Sequence, residues 1–162
     1  MCNDTGKWGK GFVLAISSRW LSPEEEYRSW HAQLAPSKLP LGGVQFVTVE
    51  PGITVANMIG QHGVKSGTNG PPIRYEAIRD CLKTVAVRAS ELKATVHMPR
   101  IGCGLAGGEW SRIEEIIRGT LSSSGIEVTV YDLSAPDGID PGESNGNRLS
   151  KSSSGLAPWY TR

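Results

Sequence analysis

Apolar residues along the chain alternate between a step of three or four and short β-branched runs, and each switch marks a change between helix and strand. Ser22-Pro23-Glu24-Glu25 reads as a capping box with proline in the first turn, and Tyr27, Trp30 and Leu34 follow at helical spacing. A helix from Pro23 to about Ala35 is predicted. Val44 to Val49 and Ile53 to Ile59 are β-branched runs separated by Glu50-Pro51-Gly52, the pattern of two neighbouring strands joined by a tight turn. Ile78, Cys81, Leu82, Val85, Ala89 and Leu92 recur at helical steps across Ile73 to Lys93, which gives a long one-sided helix. Thr95 to Met98 then reads as a short strand, Trp110 to Ser123 as a helix ending at Gly125, and Glu127 to Leu133 as a final strand. The apolar stretch Phe12 to Ile16 predicts one more helix near the start of the chain. This order favours an α/β fold with a mostly parallel sheet covered by helices on both faces, in which ligands bind at the carboxyl ends of the strands.

Composition narrows the picture. With 162 residues, 38% of them hydrophobic, the chain is expected to form one domain with a sizeable core. After Leu133 the sequence turns rich in Ser, Gly, Pro, Asn and Asp without periodicity, so residues 1–133 are expected to fold and 134–162 to be a disordered tail. Seventeen basic residues against sixteen acidic leave a net charge of +1, so no global field would draw in nucleic acid or an anionic membrane. Any phosphate must be held locally. Cys2, Cys81 and Cys103 are odd in number and widely spaced, which fits neither a disulfide framework nor a zinc site, and points to a reducing cytoplasm. No metal and no cofactor are expected, and a monomer is.

Two glycine-bearing loops carry the candidate chemistry. Gly102-Cys103-Gly104-Leu105-Ala106-Gly107 matches G-x-G-x-x-G between a strand and a helix, followed by Gly108. Missing side chains let linked phosphates reach backbone N–H groups, and the following helix directs its positive end at the anion. The other reading is a tight turn whose glycines permit close packing. A dinucleotide-binding dehydrogenase fits poorly, because one strand follows the motif and the acidic residue about 20 positions on, Glu127, opens that strand instead of closing it. The second loop, Cys2 to Gly11, places Asn3 and Asp4 beside Lys7, Gly9 and Lys10 ahead of a helix. The adjacent Asn3 and Asp4 offer either a hydrogen-bonding amide and a general base, or an Asx turn that caps the following helix. His62, in the loop after a strand, either orients a reactant or is an ordinary surface histidine, whereas His31 on a helix and His97 in a strand read as structural.

CNDTGKWGKGF, VANMIGQHG, PPIRYEAI, MPRIGCGLAGGEW and VTVYDL together resemble the macrodomain family of ADP-ribose-binding modules, over roughly Cys2 to Leu133 and in the same order. The resemblance is to the bacterial branch similar to the macrodomain of a chromatin remodeller and to terminal ADP-ribose protein glycohydrolase. It implies a three-layer α/β/α sandwich. By position, Ile101, Gly102, Cys103, Gly104, Leu105, Ala106, Gly107 and Gly108 would hold the diphosphate, while Asn3, Asp4, Gly9, Lys10 and Gly11 would border the distal ribose and Tyr131 would face the adenine. The partner it implies is ADP-ribose or an ADP-ribosylated protein, and the activity is hydrolysis of mono-ADP-ribose esters on acidic side chains, with Asp4 and Asn3 assisted by Gln61 and His62. The alternative is a non-catalytic reader of ADP-ribose; a nicotinamide-dependent oxidoreductase ranks third. Family members that attack through a lysine, aided by a loop aspartate, have them where this chain carries Gly60 or Gln61 and Ala106, so direct attack by water is expected. Relatives also have two strands ahead of the Cys2-Asn3-Asp4 loop, so a fold lacking its first strands is expected, with Met1 in place of an internal valine of a chain that extends upstream.

Overall fold

The computed structural model describes residues 1–68 and 70–132, so the expected tail lies outside the described residues. In chain order these form β1 (Cys2–Asn3), α1 (Phe12–Arg19), α2 (Ser22–Leu34), β2 (Val44–Glu50), β3 (Ile53–Gln61), α3 (Tyr75–Leu92), β4 (Val96–Pro99), α4 (Trp110–Thr120), a 3-10 turn (Ser122–Ser124) and β5 (Val128–Tyr131). Every predicted helix and strand is present within a few residues of its expected limits.

The capping box is not. Leu21 takes the N-cap position, Ser22 is already helical, and the N–H groups of Glu24 and Glu25 both reach the Leu21 carbonyl. Pro23 lies in the first turn, where its missing N–H removes one donor that the helix could not satisfy. The neighbouring Glu24 carboxylate, which the box would not have used, bonds to Ser17 and Arg28.

β2 and β3 pair antiparallel, from Val44 opposite Met58 to Glu50 opposite Ile53, as the hairpin pattern predicts. β1 runs parallel to β3 through Cys2 and Asn3, and β4 runs parallel to β5 from Val96–Val128 to Pro99–Tyr131. Two of the three ladders are parallel. The strands fall into two hydrogen-bonded groups, β1-β3-β2 and β4-β5, because β1 offers only two residues and pairs with β3 alone. Met1 lies between these groups, its thioether 2.7 Å from where a Cβ on Gly60 would sit and its methyl 3.5 Å from the same point on Gly102.

Adjacent residues of β3 face opposite sides of the sheet, and each side has its own core. Met58 joins the cluster of α3 and α4, where Ile78, Leu82, Ile113 and Leu121 are fully buried. Ile59 joins Cys2, Trp8, Tyr27 and Leu39 under α1 and α2. Helices on both faces of a mixed sheet make three layers. Among the described residues no helix is long and apolar enough to cross a membrane.

The smaller core holds one polar anchor. Tyr27 is completely buried, and its hydroxyl donates to the Asn3 carbonyl at 2.7 Å and to Asn3 Oδ1 at 3.1 Å. Burial pushes its phenol well above the ordinary tyrosine range. Tyr27→Phe is expected to cost about 1–2 kcal/mol in urea denaturation, because it strips a donor from a buried carbonyl without changing shape.

Candidate functional site

The carboxyl ends of β1 and β3 lie side by side, and the loops leaving them build the site. Asp4 follows β1; its N–H donates to the Gln61 carbonyl at 3.1 Å, and its own carbonyl accepts from Leu39 N–H at 3.0 Å. These two bonds fix the backbone and turn the side chain toward the loop after β3. There Oδ1 accepts from the Gly63 N–H at 2.7 Å, and Oδ2 meets His62 Nδ1 at 2.6 Å. The pairing joins residues 58 apart in sequence. Asp4 is only 2% exposed, whereas the His62 side chain is 45% exposed. A carboxylate at Nδ1 favours the neutral ring's Nδ1–H tautomer, and Nε2 has no partner among the described residues.

Asn3 is committed to the loop itself. Its Oδ1 accepts from Thr5 N–H, Thr5 Oγ1, Lys7 N–H and the Tyr27 hydroxyl, and its Nδ2 donates to the Lys7 carbonyl. This is a side-chain-built turn of the Asx kind, placed at Asn3 and not at Asp4. Gln61 Nε2 donates to the Gly63 carbonyl at 2.9 Å, shaping the loop that carries His62. Gly9, Lys10 and Gly11 are exposed, with α1 starting directly after them.

The second loop reaches the same place through residues 62–73. His62 N–H donates to the Pro72 carbonyl at 2.8 Å and Ile73 N–H to the Ala106 carbonyl at 3.2 Å, so the segment that touches the Asp4 loop also touches the glycine loop. Gly107 N–H closes onto the Gly104 carbonyl at 2.9 Å, and Gly108 N–H onto the Gly102 carbonyl at 2.8 Å. Both readings of the glycines hold, each for different residues. A Cβ on Gly102 would lie 2.8 Å from Ile73 Cδ1, one on Gly107 2.9 Å from Pro71 Cβ, and one on Gly108 2.2 Å from Ile73 Cδ1, so these three serve packing. Gly104 has open space around it. Among the described residues, the N–H groups of Gly104, Leu105 and Ala106 have no acceptor, and α4 begins four residues beyond.

Tyr131 ends β5 with its hydroxyl 2.9 Å from His97 Nδ1, and the two rings stack at 5.9 Å. With Phe12, Met98 and Pro99 they line a cavity of about 70 Å³. His97 also meets Thr95 Oγ1 at 3.0 Å, so both ring nitrogens have partners on the strands. Tyr75, at the start of α3, reaches the far end of the glycine loop: its hydroxyl accepts from the Glu109 N–H at 3.0 Å, and the Arg112 guanidinium sits 3.7 Å from its ring centre. No local pattern signals that contact. Burial raises all three thiols above their ordinary range, Cys81 to about 12, which keeps them protonated in neutral solution. Among the described residues no cluster of His, Cys, Asp and Glu is placed to hold a metal ion.

A three-layer α/β domain carries a glycine turn between β4 and α4 and an Asp–His pair at the carboxyl ends of β1 and β3. The chain belongs to the macrodomain family. It is 59% identical to a macrodomain protein from Streptomyces coelicolor over 82% of this chain and 84% of that one, with a TM-score of 0.71. It is 58% identical to a Bacteroides thetaiotaomicron protein of unknown function, covering 82% and 83% of the two chains at a TM-score of 0.78. No family model matches the chain. Among curated proteins it is 29% identical over 139 residues to mouse chromodomain-helicase-DNA-binding protein 1-like, and it spans only 15% of that protein's length. A 60-residue stretch is 35% identical to the bovine ADP-ribose glycohydrolase OARD1, 40% of whose length it covers. Thermosipho africanus DarTG, solved in complex with ADP-ribose, shares the fold at 16% identity, a TM-score of 0.65, and coverage of 84% of this chain and 38% of that one.

Proposed function

We propose that this macrodomain binds ADP-ribose and hydrolyses mono-ADP-ribose esters on acidic protein side chains. The observation that carries the binding reading is the row of three N–H groups, Gly104 to Ala106, that lack acceptors among the described residues, at a turn whose neighbouring glycines are already committed to packing. Such a row, ahead of a helix N-terminus, suits a diphosphate in a protein of nearly neutral net charge. Relatives described as an ADP-ribose complex and as an ADP-ribose glycohydrolase support the same ligand. The exposed Gly9–Gly11 segment and Tyr131 would receive the distal ribose and the adenine.

For turnover we give the base role to His62 and the positioning role to Asp4. Asp4 is too enclosed to meet water directly, so His62 Nε2 takes the proton while Asp4 holds the ring. The water oxygen bonds to the anomeric carbon, the bond from that carbon to the acyl oxygen breaks, and the carboxylate of the acceptor leaves with the electron pair. A carboxylate needs little acid help to leave, so a base and positioning suffice, each worth on the order of 10²-fold or more. Gln61 keeps the loop in shape through Gly63.

The binding-only reading draws on Gly60, Gln61 and Ala106, which leave no lysine nucleophile or loop aspartate where the resemblance puts them. Calorimetry with ADP-ribose tests binding, and loss of label from a mono-ADP-ribosylated carboxyl-linked protein tests turnover. Binding with the label retained by the parent protein rules out the hydrolase; no binding rules out both readings. Gly104→Val tests the loop: with open space around it, stability is expected to stay within about 0.5 kcal/mol, while added side-chain bulk weakens ADP-ribose binding at least about tenfold.

A further inference from the structure

We infer that Glu24 is a positioning residue for the ligand loop: through Ser17 and Arg28 its carboxylate grips both polar ends of Trp8 and so sets the path of Gly9–Gly11. This inference rests on the proposed ADP-ribose site and names what holds one wall of it.

Trp8 is 8% exposed and its ring lies 5.3 Å from that of Tyr27, so its indole is packed under α2. Its Nε1–H donates to Ser17 Oγ at 2.7 Å, and Ser17 Oγ donates in turn to Glu24 Oε2 at 2.8 Å. Its backbone carbonyl accepts from Arg28 Nη2 at 3.2 Å, and the same guanidinium donates to Glu24 Oε1 at 2.8 and 2.9 Å. One carboxylate thus closes two chains of hydrogen bonds onto one residue. The Ser17 hydroxyl, and after it Arg28, hold the Glu24 carboxyl below its ordinary range, so it stays charged in neutral solution.

The three residues after Trp8 have little else to hold them. Gly9 and Gly11 are exposed, and a Cβ at either would meet nothing within 4 Å. A segment without packing therefore spans from Trp8 to the first turn of α1. The backbone direction at Trp8 fixes where it starts, and α1, tied to the same carboxylate through Ser17, fixes where it ends. A ligand that meets this segment binds more tightly when the segment is already in place.

The molecule carries its own control. Glu50 accepts from the Trp20 indole at 2.8 Å and from Arg19 at 3.1 Å, the same chemistry at the far end of α1, away from the loop. In the full chain, Glu24→Ala and Ser17→Ala are each expected to weaken ADP-ribose binding about tenfold, and the double variant no more than the worse single one. Turnover at saturating substrate is expected to stay within about twofold, because neither residue touches Asp4 or His62. The Trp8 indole N–H resonance should move in both variants, and backbone N–H exchange at Gly9–Gly11 should speed up. Glu50→Ala should move the Trp20 resonance and leave affinity alone. An affinity unchanged within twofold in Glu24→Ala overturns the inference, as does an equal loss in Glu50→Ala. Should the parent protein fail to bind ADP-ribose, the ligand reading falls, and the brace is then judged by exchange at Gly9–Gly11, whose constancy overturns it.

Discussion

Gly108→Ala should lower the melting temperature by roughly 10 °C, the signature of losing about 3 kcal/mol in a domain of this size. The cause is crowding from two sides. The new methyl would stand 2.2 Å from Ile73 Cδ1, and that side chain is 4% exposed within the larger core, with little room to turn away. It would also stand 2.8 Å from the Gly102 carbonyl oxygen, the very atom that accepts the Gly108 N–H. Retreat from the carbonyl lengthens the bond that closes the turn; retreat from Ile73 opens the contact between the turn and the core. Against a total stability of about 5–15 kcal/mol, this loss is large. Gly104→Ala supplies the comparison, since its methyl would meet nothing and the melt should be unchanged. Thermal unfolding followed by far-UV circular dichroism reads both. Equal melting of the two variants would mean that the turn is not closed through Gly102 and Gly108.

The elements that could be read from the sequence are those whose signal is local. The helical steps of Ile78, Leu82 and Val85 and the paired runs around Glu50-Pro51-Gly52 carry their own period, and burial follows it. The capping box misled because the helix starts one residue earlier than the box requires: Leu21 opens it with its carbonyl alone, and Ser22 is already helical. The division of the strands into two groups turns on how far β1 extends, which no periodicity reports for a two-residue strand. At the site, the glycine loop was legible as a place of close approach. Which glycines meet protein and which meet solvent depends on Ile73 and Pro71, some 30 residues earlier, so the motif could not say. Asp4 and His62 each stood out by residue type, but their pairing is a contact across β1 and β3, and it is this contact that leads us to propose the imidazole and not the acid as the base.

That assignment makes Asp4→Asn the sharpest test of the chemistry. An amide is the size of the carboxylate, and its oxygen can keep the 2.7 Å bond from Gly63 N–H, so the loop should hold its shape. The amide nitrogen would then face His62 Nδ1 as a donor. The imidazole must answer with an unprotonated Nδ1, which moves its hydrogen to Nε2 and removes the acceptor that water needs. Turnover of the ester-linked substrate is expected to fall by about 10²–10⁴-fold, with ADP-ribose affinity within about threefold of the parent. His62→Ala should fall as far, and the double variant no further, because the two residues act as one unit. Asp4→Ala is a poorer probe, since it also leaves the buried Gly63 N–H unpaired and weakens the fold. Were Asp4→Asn to turn over within threefold of the parent while His62→Ala did not, the ring would be acting without its carboxylate, and Asp4 would be a loop clasp and no part of the chemistry.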